Sequence, residues 1–143
     1  EGKKVVSGGT SANIAARVLR KDIVTRVDHN DPDVPPMAVI EGLDLVTEGV
    51  LTMGKALKLL KRYENDEFDA DFFDELDANN GASKLAKLII EECTELNLFV
   101  GTAMNEAHQN SELTFDLSVR MNLVEQLKNV AEKMGRNVRV KYY

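Results

Sequence analysis

VVSGGTSANIAARVL, residues 5–19, decides the fold. Two β-branched residues lead to Ser7, Gly8-Gly9 interrupts the run, and Ile14, Ala15, Val18 and Leu19 then recur at helical spacing. The pattern predicts a strand over 3–7, a glycine turn and a helix ending near residue 20. A strand passing through a tight turn into a helix is a building unit of layered α/β proteins.

Working outward, residues 23–27 read as a second strand. HNDPDVPP, residues 29–36, holds all three prolines and reads as a loop, because proline fixes φ and removes a donor. Short strands at 38–40 and 43–47 flank Gly42. Thr52 is expected to cap a helix carrying Met53, Leu57 and Leu60. Residues 64–80 have two readings. Phe68, Phe72, Phe73 and Leu76 fit a short amphipathic helix, while the charge fits a flexible acidic loop. Asn79-Asn80-Gly81 breaks the segment. A helix with Leu85, Leu88, Ile89 and Cys93 on one face follows, then a strand at 96–100 ending at Gly101. Residues 102–115 read as a polar loop. A long helix is expected over 117–134, closed by Gly135, and a last strand over 137–143. The alternation predicts a single α/β domain over 1–143, a layered sandwich with a mostly parallel sheet flanked by helices.

The 143 residues suit one domain that needs no disulfide or metal to hold it. No apolar run approaches a membrane span, and no signal-peptide pattern opens the chain. One cysteine, Cys93, allows no intramolecular disulfide and fits a cytoplasmic setting. A start at Glu1, directly on a strand-like run, reads as a piece of a longer protein. The net charge is −6, yet residues 64–77 alone hold eight acids and no base, so the rest is close to neutral. That balance argues against a nucleic-acid surface, which needs a basic patch.

Three strand exits use glycine: VVSGGTS (5–11), LVTEGVLT (45–52) and LFVGTAMN (98–105). In a parallel sheet such exits share the carboxyl edge, where open α/β sheets bind ligands. Gly8 and Gly9 admit a bound group close to the backbone. Thr10 and Ser11 add hydroxyls, Asn13 follows, and the helix start offers free N–H groups. The expected guest is an anion such as phosphate or carboxylate, or a nucleotide. The run is neither GxGxxG nor GxxxxGK[ST], so a Walker-type site is not indicated. The competing reading is that Gly-Gly simply makes a tight turn. At the second exit, Thr47, Glu48 and Gly49 are candidates. Glu48 can meet a ribose hydroxyl, hold a metal, act as a base, or simply complement a helix dipole. At the third, Gly101 leads into Asn105, His108, Gln109 and Asn110, where His108 is either an acid/base or a loop hydrogen-bonder.

The remaining clusters point to little chemistry. Asp28, His29, Asp31 and Asp33 match neither an EF-hand nor a zinc pattern and read as a connector. Cys93 sits on an apolar stripe and is expected to be a buried core thiol. No catalytic constellation closes within the chain.

VVSGGTSANIAARVL (5–19), DPDVPP (31–36), EGLDLVTEGVLT (41–52), NGASKLAKLIIEECT (80–94), LFVGTAMNEAHQN (98–110) and RVKYY (139–143) together resemble the C-terminal region of stage II sporulation protein E-type serine phosphatases. The likeness is closest to the clostridial-type branch associated with iron-only hydrogenase genes. It implies an accessory domain next to a type 2C phosphatase domain, whose aspartates hold manganese or magnesium (Mn or Mg). None of those metal motifs matches a position here. No catalytic residue is carried over, and no cofactor is expected in this domain. The family pattern at the first turn reads Cys-Gly-Gly-Thr-Thr. Ser7 replaces that cysteine, and Ser11 keeps a hydroxyl in place of the second threonine.

The expectation is therefore a non-catalytic sensory domain that binds a small anionic ligand and acts on a neighbouring phosphatase domain. The alternatives are an interaction module docking a basic partner through 64–77, and a small enzyme acting on a phosphorylated substrate with Glu48 or His108. Neither membrane nor nucleic acid is an expected partner. An open sheet edge would allow a homodimer.

Overall fold

The computed structural model describes residues 2–26, 31–102 and 111–143, and the side chains of all these except 111–116. The opening unit forms as the sequence dictates: β1 (Val5–Ser7) runs through Gly8 into α1 (Gly9–Leu19). Gly8 has φ +112, a conformation that L side chains rarely adopt. Then come β2 (Val24–Thr25), β3 (Ala38–Val39) and β4 (Leu45–Thr47). Three helices follow: α2 (Val50–Glu64), α3 (Ala70–Leu76) and α4 (Gly81–Glu91). The chain closes with β5 (Glu95–Val100), α5 (Ser111–Lys133) and β6 (Asn137–Tyr142).

The architecture is α/β, with mixed pairing. A four-stranded sheet has the order β1-β4-β3-β2, and β5 and β6 form a separate pair. β1–β4 and β5–β6 are parallel, while β2–β3 and β3–β4 are antiparallel. The expected mostly parallel sheet is thus only half realised, and connection length explains why. Parallel neighbours need a crossover of a dozen or more residues, usually a helix. α5 supplies one between β5 and β6. Only residues 40–44 join β3 to β4, around Gly42 at φ +100, so that pair must turn back on itself.

Two cores of unequal size lie on the two faces of the four-stranded sheet. Leu45 and Val46, successive on β4, point to opposite faces. Leu45 joins the main core, built from α2, α4 and α5 with Phe72 and Leu76 of α3 and Leu96 and Leu98 of β5. Val46 joins a small core with Ala12 and Ala16 of α1 and Ile40. The alanines let α1 lie close to the sheet. The face with the larger side chains therefore points outward, contrary to the stripe expected from spacing: Ile14, Val18 and Leu19 are exposed. The helix is apolar on both faces, and only one can meet the sheet.

Of the two readings of residues 64–80, the helix holds. α2 runs through Glu64, and α3 is capped by Asp69, whose carboxylate accepts from the Phe72 N–H at 2.7 Å. Asn79-Asn80-Gly81 is more than a breaker. The Asn80 side chain caps α4 by accepting from the Ser83 N–H at 2.8 Å. The Ser83 hydroxyl donates to the Glu75 carbonyl at 2.5 Å, tying α4 to α3. α5 begins at Ser111, earlier than expected, because the polarity of 111–116 hides the helical period. Gly135 turns the chain at φ +84, and Arg136 donates to the Ile90 and Met134 carbonyls, both at 2.8 Å, binding the ends of α4 and α5.

Gly81 is the most closely packed of the described glycines. A β-carbon there would lie 2.9 Å from Thr47 Cγ2 and 3.3 Å from Thr52 Cγ2 and Met37 Cγ. All three neighbours are partly or fully buried. Gly81→Ala is expected to lower stability by about 1–3 kcal/mol through overpacking, and Asn80→Ala by about 1–2 kcal/mol through loss of the cap. Urea unfolding of both variants checks this.

Candidate functional site

The first two glycine exits meet. β1 and β4 pair with Ser7 opposite Thr47, and the ladder continues one step further, from the Gly8 N–H to the Thr47 carbonyl at 2.9 Å. The turns beyond then touch: a β-carbon at Gly49 would sit 3.6 Å from Gly8 Cα. Gly9 has open space around it. Between the strands, the Thr47 hydroxyl donates to the Glu48 carbonyl at 2.8 Å, and the Ser7 hydroxyl donates to that same oxygen at 3.1 Å. Two hydroxyls on one carbonyl fix the exit of β4.

Three helix N-termini gather at this edge: α1 after Gly8, α2 after Gly49, and α4, whose Gly81 packs on Thr47 and Thr52. Each carries a partial positive charge of roughly half a unit. α2 and α4 are satisfied from within the chain. The Glu48 carboxylate accepts from the Thr52 N–H at 3.1 Å and the Thr52 hydroxyl at 3.3 Å. Thr52 is thus not the cap it was expected to be; it lies inside α2, and Glu48 supplies the negative charge. Asn80 caps α4. α1 differs: the Ala12 N–H bonds the Gly8 carbonyl, and no side chain among the described residues caps the N–H groups of Gly9, Thr10 and Ser11. Thr10 and Ser11 are exposed, and Asn13 lies one turn further along, also exposed.

The third exit does not join them. Gly101 ends β5, which pairs with β6 rather than with β1 or β4, and its carbonyl accepts from Arg120 at 3.1 Å. One shared carboxyl edge for all three exits is therefore not what forms, because β5 belongs to the other sheet. Asn105, His108, Gln109 and Asn110 lie outside the described residues, as do Asp28 and His29. Asp31 pairs with Lys55 and accepts from the Asp33 N–H, which makes it part of the connector. Among the described residues, no group of three or more His, Cys, Asp or Glu side chains is placed to hold a metal ion. No helix there is long and apolar enough to cross a membrane.

Cys93 is half-buried rather than buried and packs against the main core. Burial pushes its thiol up, opposed by the Arg136 guanidinium. The thiolate, which is the reactive form, is therefore disfavoured. A cleft of about 310 Å³ lies at the opposite end of α2, between Lys61, Glu64, Gln126 and Lys133. It faces helix C-termini, where lysines offset the negative ends.

The sequence pattern predicts the α4 helix but not its place at this site. Asn80 followed by small residues is an N-cap signal, but only the packing on Thr47 and Thr52 puts that helix start at the β1–β4 edge. Comparison of the chain with family models, with curated proteins and with solved structures finds no match in any of the three.

Glu48→Ala is expected to lower stability by about 1 kcal/mol through loss of the α2 cap, read by denaturant unfolding. Cys93 is expected to alkylate more slowly in the folded chain at pH 8 than in denaturant.

Proposed function

We propose that this chain is a non-catalytic regulatory domain that binds a small anionic ligand, of the nucleotide class, at the β1–β4 edge. The observation that carries the reading is the contact between two glycine turns. Beside it lies the start of α1, where no side chain among the described residues caps the N–H groups of Gly9, Thr10 and Ser11, Gly9 has open space around it, and Thr10 and Ser11 are exposed. Oriented N–H groups at a helix start suit a phosphate. Glu48 lies next to this edge, and its Oε1 is available to accept from a sugar hydroxyl while Oε2 holds α2.

The resemblance of this chain's motifs to those of stage II sporulation protein E-type phosphatases supports a place beside a type 2C phosphatase domain, in the cytoplasm. Binding shifts such a neighbour only through different affinities for its two states.

The test is a thermal-unfolding series with phosphate, nucleoside mono- and triphosphates and an uncharged nucleoside. A ligand at 100 times its Kd adds ~2.7 kcal/mol, a shift of several degrees. Gly9→Val fills the open space over the turn and is expected to abolish that shift while the unliganded chain unfolds normally. No shift at millimolar ligand, or an equal shift in Gly9→Val, overturns the assignment.

A further inference from the structure

Two exposed patches on opposite sides of the four-stranded sheet complement each other. The first is the outer face of α1. Ile14 and Val18 lie one turn apart, 48% and 74% exposed, with Leu19 beside them at 42%. Arg17 and Arg20 flank them, exposed and in no ion pair among the described residues, while Lys21 pairs with Glu41 at 2.9 Å. Residues 9–21 contain no acid.

The second patch lies around α3. Phe72 is buried, but Phe68 and Phe73 are 46% and 51% exposed and stack on each other, centroids 6.2 Å apart. Part of the negative charge here is neutralised within the chain. Arg62 sits 2.9 Å from Asp69, 3.8 Å from Asp71 and 3.5 Å from Glu75, and Lys87 pairs with Asp77 at 2.6 Å. Asp66, Glu67 and Asp74 are exposed and in no ion pair among the described residues. Two stacked rings rimmed by unpaired acids form an anchor for an apolar surface rimmed by bases.

We infer that a second copy of this chain covers each patch, the α3 patch of one copy docking on the α1 face of the next. The two patches cannot meet within one chain, because α1 and α3 serve cores on opposite faces of the sheet. Like patches do not pair: two α1 faces oppose arginines, and two α3 patches oppose carboxylates. The contact is head-to-tail. Each copy then keeps one patch free, and assembly is not limited to a dimer.

The experiment is sedimentation of the whole chain from roughly 10 μM to 1 mM, the range a small patch calls for. The mean mass is expected to rise with concentration past that of a dimer. It should return to monomer at about 1 M salt, where the Debye length is ~3 Å. Val18→Glu and Phe73→Lys, both at exposed positions, each leave one working patch and are expected to be monomeric alone. Mixed, they are expected to form a heterodimer and stop there, since the mixture allows one intact contact. Should Phe73→Lys unfold, Glu67→Lys with Asp74→Lys reverses the rim without touching packed groups. A wild-type chain that stays monomeric, a variant that associates as wild type does, or a mixture that stays monomeric overturns the inference.

Discussion

The hydrogen bond from the Gly8 N–H to the Thr47 carbonyl decides what else this edge of the molecule can be. It carries the β1–β4 ladder past the last side chains of both strands, so the chain leaves each strand already beside the other. Only a residue that accepts φ +112 can make the turn at position 8. Once both turns are held there, the helices that follow must start side by side. The parallel register then fixes which groups face out: hydroxyls of Ser7 and Thr47 inward onto one carbonyl, backbone N–H groups of α1 outward.

Converging helix starts concentrate positive potential. The protein answers two of the three from its own sequence. Glu48 supplies a full negative charge to α2, and Asn80 supplies a neutral acceptor to α4. The difference follows from burial. Asn80 is 2% exposed, and an ionised carboxylate there would carry a heavy desolvation cost. Glu48 is only partly buried, so a carboxylate suits that position. Among the described residues, no side chain answers the start of α1.

Much of this was legible from residues alone. Gly8-Gly9 after β-branched residues announced a strand turning into a helix, and the β1 and β4 exits were singled out by their glycines. The third exit looked the same in sequence, because LFVGTAMN carries no mark of which sheet its strand will join. Strand pairing depends on partners distant in the chain, and here β6 takes β5. The α1 stripe misled for a different reason. Ala12 and Ala16 are as apolar as the position requires, and their small size, rather than hydropathy, brings the helix close to the sheet. Side-chain size decided which face went in. The aromatic period of 64–77 fits α3, whose anchor is Phe72 in the main core, but the run of acids left a loop equally readable.

The unequal cores set a gradient of stability across the molecule. The α1 layer rests on two alanines, an isoleucine and a valine, whereas α2, α4 and α5 share a core of large side chains. Local opening follows burial, so the amide protons of α1 are expected to exchange with solvent before those of α2 and α4. The helix whose first N–H groups no side chain among the described residues caps thus rests on the smaller core. Any guest seated on Gly9, Thr10 and Ser11 would slow that opening, and its arrival would be felt as a stiffening of one layer while the other stays as it was.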